Sequence, residues 1–197
     1  MSVTQWVLLG LVLVLVFWAV GAYNRLVRLK NAIANAFGQI DVQLKRRYDL
    51  IPNLVEVARR YLAHESQTLE AVIAARHQAR SAEQVAATSP LSATALGQLA
   101  GAEAVLGGAL GRLMAVVENY PELKADETLR ELSEELASTE NRVGFARQAY
   151  NDQVLAFNDA AAQFPTLIIA RLFGFVPQPM LAATTSEVER QSVAVKL

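Results

Sequence analysis

The chain contains no cysteine. This absence excludes disulfide bonds, cysteine-ligated zinc, a thiol nucleophile and a lipoprotein anchor. Histidine is scarce as well, and His64 and His77 would point in roughly opposite directions on one helix, so they cannot share a metal ion. The glycines match neither a phosphate-binding loop nor a dinucleotide fingerprint. We therefore expect no enzyme, no catalytic residue, no cofactor and no metal.

Aromatic residues and net charge are also low, at 7% and −1. A chain so close to neutral gives no reason to expect nucleic acid as a partner. Hydrophobic residues nevertheless make up 53% of the chain, and alanine and leucine supply much of that share. This composition is typical of packed helices, and it predicts an all-α protein.

The first segment is strongly apolar. No charged side chain occurs from Met1 to Asn24, and residues 6–22 read WVLLGLVLVLVFWAVGA. A run of this length lies at the short end of what spans a bilayer, and Trp6, Trp18 and Tyr23 suit the two interfaces. A cleaved signal peptide is the alternative, but the leading MSVTQ has no lysine or arginine. The sequence predicts an uncleaved transmembrane anchor over residues 1–23.

Basic residues follow this segment directly. Arg25, Arg28 and Lys30 precede the first acid, Asp41. The positive-inside rule then predicts an N-terminus outside and residues 25–197 in the cytoplasm.

Apolar residues next recur at steps of three and four from Leu26 to Tyr48, which indicates an amphipathic helix. An interior proline costs about 3 kcal/mol, so Pro52, after the basic run Lys45–Arg47, predicts a reversal of the chain. The alternative is a kink in one continuous helix. Further helices are expected up to about residue 80, from Ala93 to the Tyr120-Pro121 pair, and from Asp126 to Phe164-Pro165. Residues 24–163 are therefore predicted to form an up-down antiparallel four-helix bundle.

Two arrangements of charge and glycine need explanation. The reversal at Pro52 would bring Arg46 and Arg47 close to the acids around Glu118–Glu131. The helix after Ala93 is rich in glycine, and Gly97, Gly101, Gly108 and Gly111 form a smooth stripe. Such a stripe allows close approach of a neighbouring helix, either within the bundle, which we favour, or in another subunit.

The C-terminal part begins with FPTLIIARLFGFVPQP, residues 164–179. Residues 164–176 predict a short apolar helix that reaches the bilayer end of the bundle. Phe173 and Phe175 would lie there, either in the membrane interface or as a cap on the core. Residues 177–197 are predicted to be a flexible tail.

Three stretches, residues 23–65, 117–158 and 164–175, resemble the LemA family. The resemblance covers most of residues 23–175 and implies an anchored helical bundle of bacterial origin without catalytic residues to carry over. Some family members have a lipid-bearing cysteine before the Tyr-Asn pair, but Gly21-Ala22 stand there in this chain. The residues of this chain that carry the family pattern as a structural motif are Arg46, Arg47, Asp49, Pro52, Asn53, Tyr120, Pro121, Glu140, Asn141, Tyr150 and Asn151.

We expect a non-enzymatic, single-pass protein of the bacterial inner membrane with a cytoplasmic scaffold or adaptor domain. Its partners would be the lipid bilayer and an unidentified protein. The alternative is a self-assembling protein that organises or shapes the membrane, with homo-oligomer contacts through the glycine stripe or an exposed helix seam.

Overall fold

The longest element of the computed structural model, which describes residues 2–62 and 64–181, is a single helix, α1 (Val3–Tyr61). Almost every side chain up to Gly21 is exposed, whereas the predicted apolar seam becomes buried from Ala22 onward. Leu26, Ile33 and Phe37 are each at most 2% exposed. The predicted amphipathic helix is confirmed, and it is continuous with the apolar N-terminal segment.

Pro52 lies inside α1, so the predicted reversal at this residue is wrong. The chain turns instead between Leu62 and Glu65. A proline has no N–H to donate to the carbonyl four residues earlier, which is that of Tyr48. Arg76 of the next helix replaces the missing donor, because its Nε lies 2.5 Å from the Tyr48 oxygen. A side chain of another helix thus satisfies the carbonyl that Pro52 leaves without its helical donor.

Five further helices follow in the described residues: α2 (Ser66–Thr88), α3 (Ala93–Val117), α4 (Pro121–Lys124), α5 (Glu127–Ala162) and α6 (Thr166–Leu172). The predicted starts of α3 and α5 are confirmed by their caps. Ser92 Oγ accepts from Ala95 N at 3.3 Å, and Asp126 Oδ1 accepts from Leu129 N at 3.0 Å. The helix expected to fade near residue 80 continues to Thr88.

The helices pack as antiparallel neighbours. Along α1 and α5, Arg46 pairs with Glu135, while Phe37 contacts Tyr150 with ring centroids 6.1 Å apart. The α2 helix runs back along α1, and α3 runs back along α2. The described chain is all-helical and has one continuous apolar core between these helices.

The part of α1 that follows the exposed apolar segment is covered by α5, α6 and the segment after α6. Asn158 exchanges two hydrogen bonds with the backbone of Gln178 (2.8 and 3.0 Å), and Asn151 does the same with Leu181 (2.9 and 3.0 Å). The two asparagines are seven residues apart on a helix, and their two partners are three residues apart in an extended chain. Both separations are about 10 Å, so the two pairs match in spacing. The flexible tail predicted for 177–197 is therefore wrong for 177–181; residues 182–197 lie outside the described residues.

Candidate functional site

A layer of buried charges crosses the middle of the helical body. Arg47 Nη1 lies 2.6 Å from Glu103 Oε2, and Tyr48 OH donates to Glu103 Oε1 at 2.6 Å. The second guanidinium nitrogen of Arg47 lies 2.8 Å from Glu140 Oε2, and Arg147 Nη2 lies 3.8 Å from Glu103 Oε2. Glu103 and Arg47 are 2% and 5% exposed. The layer therefore joins α1, α3 and α5 through charged side chains.

The chemistry of this layer is that of a structural junction. Burial, and then the negative charge of Glu103, raise the pKa of Tyr48 far above its usual range, so the phenol keeps its proton and acts as a donor. Removing one partner of a buried ion pair leaves an uncompensated charge, which costs about 3 to 5 kcal/mol. The layer thus penalises any sliding of α1 against α3 or α5.

The predicted partners of the two arginines were incorrect. Arg46 Nη2 lies 2.6 Å from Glu135 Oε1, and Arg47 pairs with Glu103 and Glu140, none of which lies within Glu118–Glu131. Since the chain turns after Tyr61 rather than at Pro52, the arginines lie farther from the turn than expected. Tyr61, the last residue of α1, lies beside the acids of Glu118–Glu131 instead, and its hydroxyl donates to Asp126 Oδ2 at 3.1 Å.

A second polar cluster joins α1 to α2. Lys45 Nζ lies 2.7 Å from Asp41 and 3.7 Å from Glu83, whose side chain is 1% exposed. Burial, and then the hydrogen bond and charge of Asp41, raise the pKa of Glu83 to about 7. The pKa of Asp41 is lowered by Glu83 and Lys45 against the opposing effect of its own burial. Of the two carboxyls, Glu83 is therefore the one that takes up a proton more readily.

Neither cluster has the composition of a metal site. In the described parts of the chain, no three side chains of histidine, aspartate or glutamate converge on one point. The remaining candidate sites are surfaces.

The first surface lies at the start of the body. Trp6 is 61% exposed, and Trp18 and Tyr23 are each 38% exposed. Arg25, Arg28 and Lys30 all face solvent around α1. An exposed apolar helix that ends in a ring of basic residues has the arrangement of a membrane anchor.

The second surface is built by α6 beside this ring. Tyr23 contacts Phe173 and Phe175 edge-on, with ring centroids 5.0 and 5.6 Å apart. Gly174 has a φ of 69°, and Phe175 N donates to Ala170 O at 2.9 Å, which is a Schellman motif that ends α6 and turns Phe175 inward. Phe173 remains 57% exposed. Helix α6 therefore places Phe173 and Phe175 beside Tyr23, just after the exposed apolar segment of α1.

The third surface is the outer face of α3. Gly97, Gly101, Gly108 and Gly111 are exposed, and a Cβ added at any of them would meet nothing within 4 Å. The favoured interpretation, close approach of a neighbouring helix within the bundle, is wrong for the described chain. The glycine stripe faces open space.

The family-pattern residues fall into separate places. Arg47 and Glu140 meet in the buried layer, whereas Tyr120 and Pro121 form the turn into α4. Tyr150 OH donates to Pro90 O at 3.0 Å, and Asn151 holds Leu181. The side chains of Asp49, Pro52, Asn53 and Asn141 are exposed, as is that of Arg46.

Comparison with known proteins identifies the fold family. The LemA family profile matches residues 36–197, which is most of the chain. The chain belongs to the LemA family. Protein LemA of Metamycoplasma hominis is 27% identical over 177 residues, covering 90% of this chain and 75% of that protein.

Two magnetosome proteins are also similar to this LemA-family chain. MamQ of Magnetospirillum gryphiswaldense is 35% identical over 77 residues, covering 39% of this chain and 28% of that protein. MamQ 2 of Paramagnetospirillum magneticum is 27% identical over 169 residues, covering 78% of this chain and 62% of that protein. The chain thus spans less than two thirds of the length of these relatives.

The LemA match begins at Ala36, beyond the apolar segment. It includes the buried layer, α6 and both asparagines that hold the C-terminal segment. Sequence reasoning missed three of these residues, Glu103, Arg147 and Asn158. Glu103 did carry a signal, because it is the one acid within α3, a helix made mostly of apolar and small residues. Arg147 and Asn158 carried none, since each resembles an ordinary polar residue on a helix surface.

Proposed function

We propose that this LemA-family chain is a non-enzymatic, single-pass membrane protein whose helical body is a scaffold or adaptor at the cytoplasmic face of a bacterial inner membrane. The observation that carries the proposal is the continuity of α1 from the exposed apolar segment into the core of the body. An uninterrupted helix holds the body at a fixed distance from the bilayer and in a fixed orientation relative to the apolar segment, whereas a flexible linker would not.

The proposed topology uses α1 alone as the span, and α1, α2, α3 and α5 as an up-down antiparallel four-helix bundle. The α3 helix is also long and apolar enough to cross a membrane. However, it contains Glu103, whose ion pair with Arg47 needs α1 alongside. Placing α3 in lipid would break this layer, so a single span is favoured.

The orientation follows from Arg25, Arg28 and Lys30. A reporter that is active only in the cytoplasm, fused after Leu197 of the full chain, should be active. A reporter that is active only in the periplasm should be silent at the same position. The opposite result would place the body outside the cytoplasm and contradict the proposed localisation.

The adaptor role needs a contact for a protein partner. Phe145 is 72% exposed and lies beside a shallow groove on α5 lined by Glu140, Asn141, Gly144 and Gln148. The names of the relatives, LemA and magnetosome protein, do not refer to a catalytic activity, which supports an adaptor over an enzyme.

The test is affinity purification of the tagged full chain from solubilised membranes at native expression level. We expect a reproducible partner that is lost with Phe145→Ser and retained with Ala74→Ser, an exposed substitution on α2. Recovery of the same proteins with both variants would contradict this contact. The absence of any reproducible protein would contradict the adaptor role itself.

The glycine stripe supports a second candidate function, self-assembly that organises the membrane. Each glycine in a helix interior costs about 1 kcal/mol relative to alanine, and packing within the described chain does not require these glycines. Small residues let a partner helix approach closely.

Size measurement of the detergent-solubilised protein tests this self-assembly. The double substitution Gly101→Leu with Gly108→Leu should lower the fraction of protein in the oligomer. Gly144→Leu on α5, which also faces open space, is the matched control. A wild-type monomer would contradict self-assembly.

A further inference from the structure

The short helix α6 has two different faces. Ile169 and Ala170 are 6% and 2% exposed and close the end of the core. On the opposite side, Ile168 and Leu172 are 56% and 73% exposed, and Phe164, just before the helix, is 81% exposed. The core therefore accounts for one face of α6 and leaves a contiguous apolar face unexplained.

The position of α6 along α1 indicates what covers this face. The exposed apolar part of α1, from Val3 to Gly21, is about 28 Å long at 1.5 Å per residue, which matches a bilayer hydrocarbon core of about 30 Å. Tyr23 follows directly, at the level of the lipid headgroups. The ring of Phe173 is 5.0 Å from that of Tyr23, so α6 lies at this level too.

The charges around α6 fit the same surface. From Ala160 to Leu181 the chain carries Arg171 and no acidic residue. Arg171 is exposed, and Arg25, Arg28 and Lys30 surround the start of the body. An apolar helix face with a basic rim is complementary to a bilayer that contains anionic lipid.

We propose that the exposed face of α6, formed by Phe164, Ile168, Leu172 and Phe173, lies in the interface of the lipid bilayer as a second membrane contact beside α1. One helix through the bilayer leaves the body free to tilt about its exit point. A second contact at α6 removes this freedom and sets which side of the bundle faces away from the membrane. This inference rests on the proposed membrane anchoring by α1.

The experiment uses the full chain, whose lack of cysteine permits single-site labelling. Single cysteines are introduced as Val12→Cys in the apolar segment, Ile168→Cys and Leu172→Cys on α6, and Phe145→Cys on α5. All four positions are exposed in the protein alone. Each variant carries an environment-sensitive fluorophore and is placed in nanodiscs of phosphatidylethanolamine and phosphatidylglycerol. Quenching is measured with acyl-brominated lipid and with aqueous iodide.

We expect brominated lipid to quench the labels at residues 168 and 172 several-fold more than the label at residue 145. The label at residue 12 should respond to brominated lipid and not to iodide. If residue 12 is quenched by lipid while residues 168 and 172 behave like residue 145, the interface proposal is overturned and the anchor stands. If residue 12 also responds only to iodide, the proposed anchoring fails. Labels at 168 and 172 that neither reagent quenches would overturn the proposal, because another protein surface would then cover this face.

Discussion

At the scale of single residues, the pairing of Pro52 with Arg76 explains how a long helix accommodates an interior proline. The carbonyl of Tyr48 loses its helical donor to the proline and receives the Arg76 guanidinium from α2. A hydrogen bond from a charged donor to a carbonyl that is otherwise unsatisfied is worth about 1 to 3 kcal/mol. The proline and the arginine are therefore expected to be energetically coupled.

A double-mutant cycle tests this coupling. Arg76→Met should lower the free energy of unfolding by about 1 to 3 kcal/mol in the wild-type chain. In a Pro52→Ala background the effect should be smaller by at least about 1 kcal/mol, because the introduced alanine restores a backbone N–H that donates to the Tyr48 carbonyl. Arg112→Met, on the exposed side of α3, is the control. Equal effects of Arg76→Met in both backgrounds would show that the arginine acts elsewhere.

Glu83 predicts an unusual dependence of stability on pH. Its pKa in the folded protein is raised to about 7 by burial and by Asp41, so the folded state holds a proton that the unfolded state releases near the usual pKa of 4.5. The stabilisation that comes from protonated Glu83 is fully present below pH 4.5 and is lost as the pH rises toward 7. Lys45 and Arg80 oppose the shift without cancelling it.

We expect the free energy of unfolding to fall by about 1 to 3 kcal/mol between about pH 5 and about pH 7.5. Glu83→Gln should remove most of this slope, because glutamine keeps a donor toward Asp41 at every pH. Chemical unfolding of the detergent-solubilised chain measures both curves. If the free energies of unfolding of the wild type and of Glu83→Gln change in parallel with pH, the prediction is contradicted. A wild-type stability that rises over this range would contradict it as well.

At the scale of elements, the C-terminal segment is held by two asparagine side chains that recognise backbone rather than side chains. Asn151 and Asn158 each donate to a carbonyl and accept from an N–H of the extended residues. Leu181, at 2% exposed, then enters the core. Side chains of α5 thus hold the backbone of a segment that forms neither helix nor strand.

Asn158→Ala should lower the free energy of unfolding by about 1 to 2 kcal/mol and speed hydrogen exchange at the amide of Gln178. Asn151→Ala should do the same at the amide of Leu181. Asn141→Ala, on the exposed surface of α5, is expected to change neither quantity. Unchanged exchange at Gln178 and Leu181 in the variants would show that other contacts hold the segment.

At the scale of the whole molecule, the position of the turn after α1 bears on which residues of α1 lie beside α5. Because the chain turns after Tyr61, α1 and α5 run antiparallel along nearly all of α5, and Arg46 meets Glu135. A turn at Pro52 would instead have placed Arg46 beside residues near 127. The two registers differ by roughly two helical turns, which cross-linking resolves.

A short bifunctional maleimide should join Arg46→Cys to Glu135→Cys efficiently in native membranes. It should join Arg46→Cys to Glu127→Cys poorly. The Arg46–Glu135 pair is exposed enough that its loss costs at most about 1 kcal/mol, so the fold tolerates the substitutions. Preferential linking of 46 to 127 would indicate that the chain reverses near Pro52.

The sequence by itself determined the fold class, the apolar segment, the α1 seam and the starts of α3 and α5. These features depend on composition, periodicity and local capping by Ser92 and Asp126, which involve residues near one another in the chain. The resemblance to the LemA family was likewise readable from stretches of local sequence.

Only the tertiary structure decided whether Pro52 breaks the helix, because the compensating donor, Arg76, belongs to another helix. It also decided that Glu103 is paired across three helices and that the α3 glycines face outward. Each of these outcomes depends on which surface another helix covers. Local propensity penalises an interior glycine or proline by about 1 to 3 kcal/mol, and burial of an unpaired acid costs about 3 to 5 kcal/mol. Long-range contacts of similar strength determine whether each of these costs is offset.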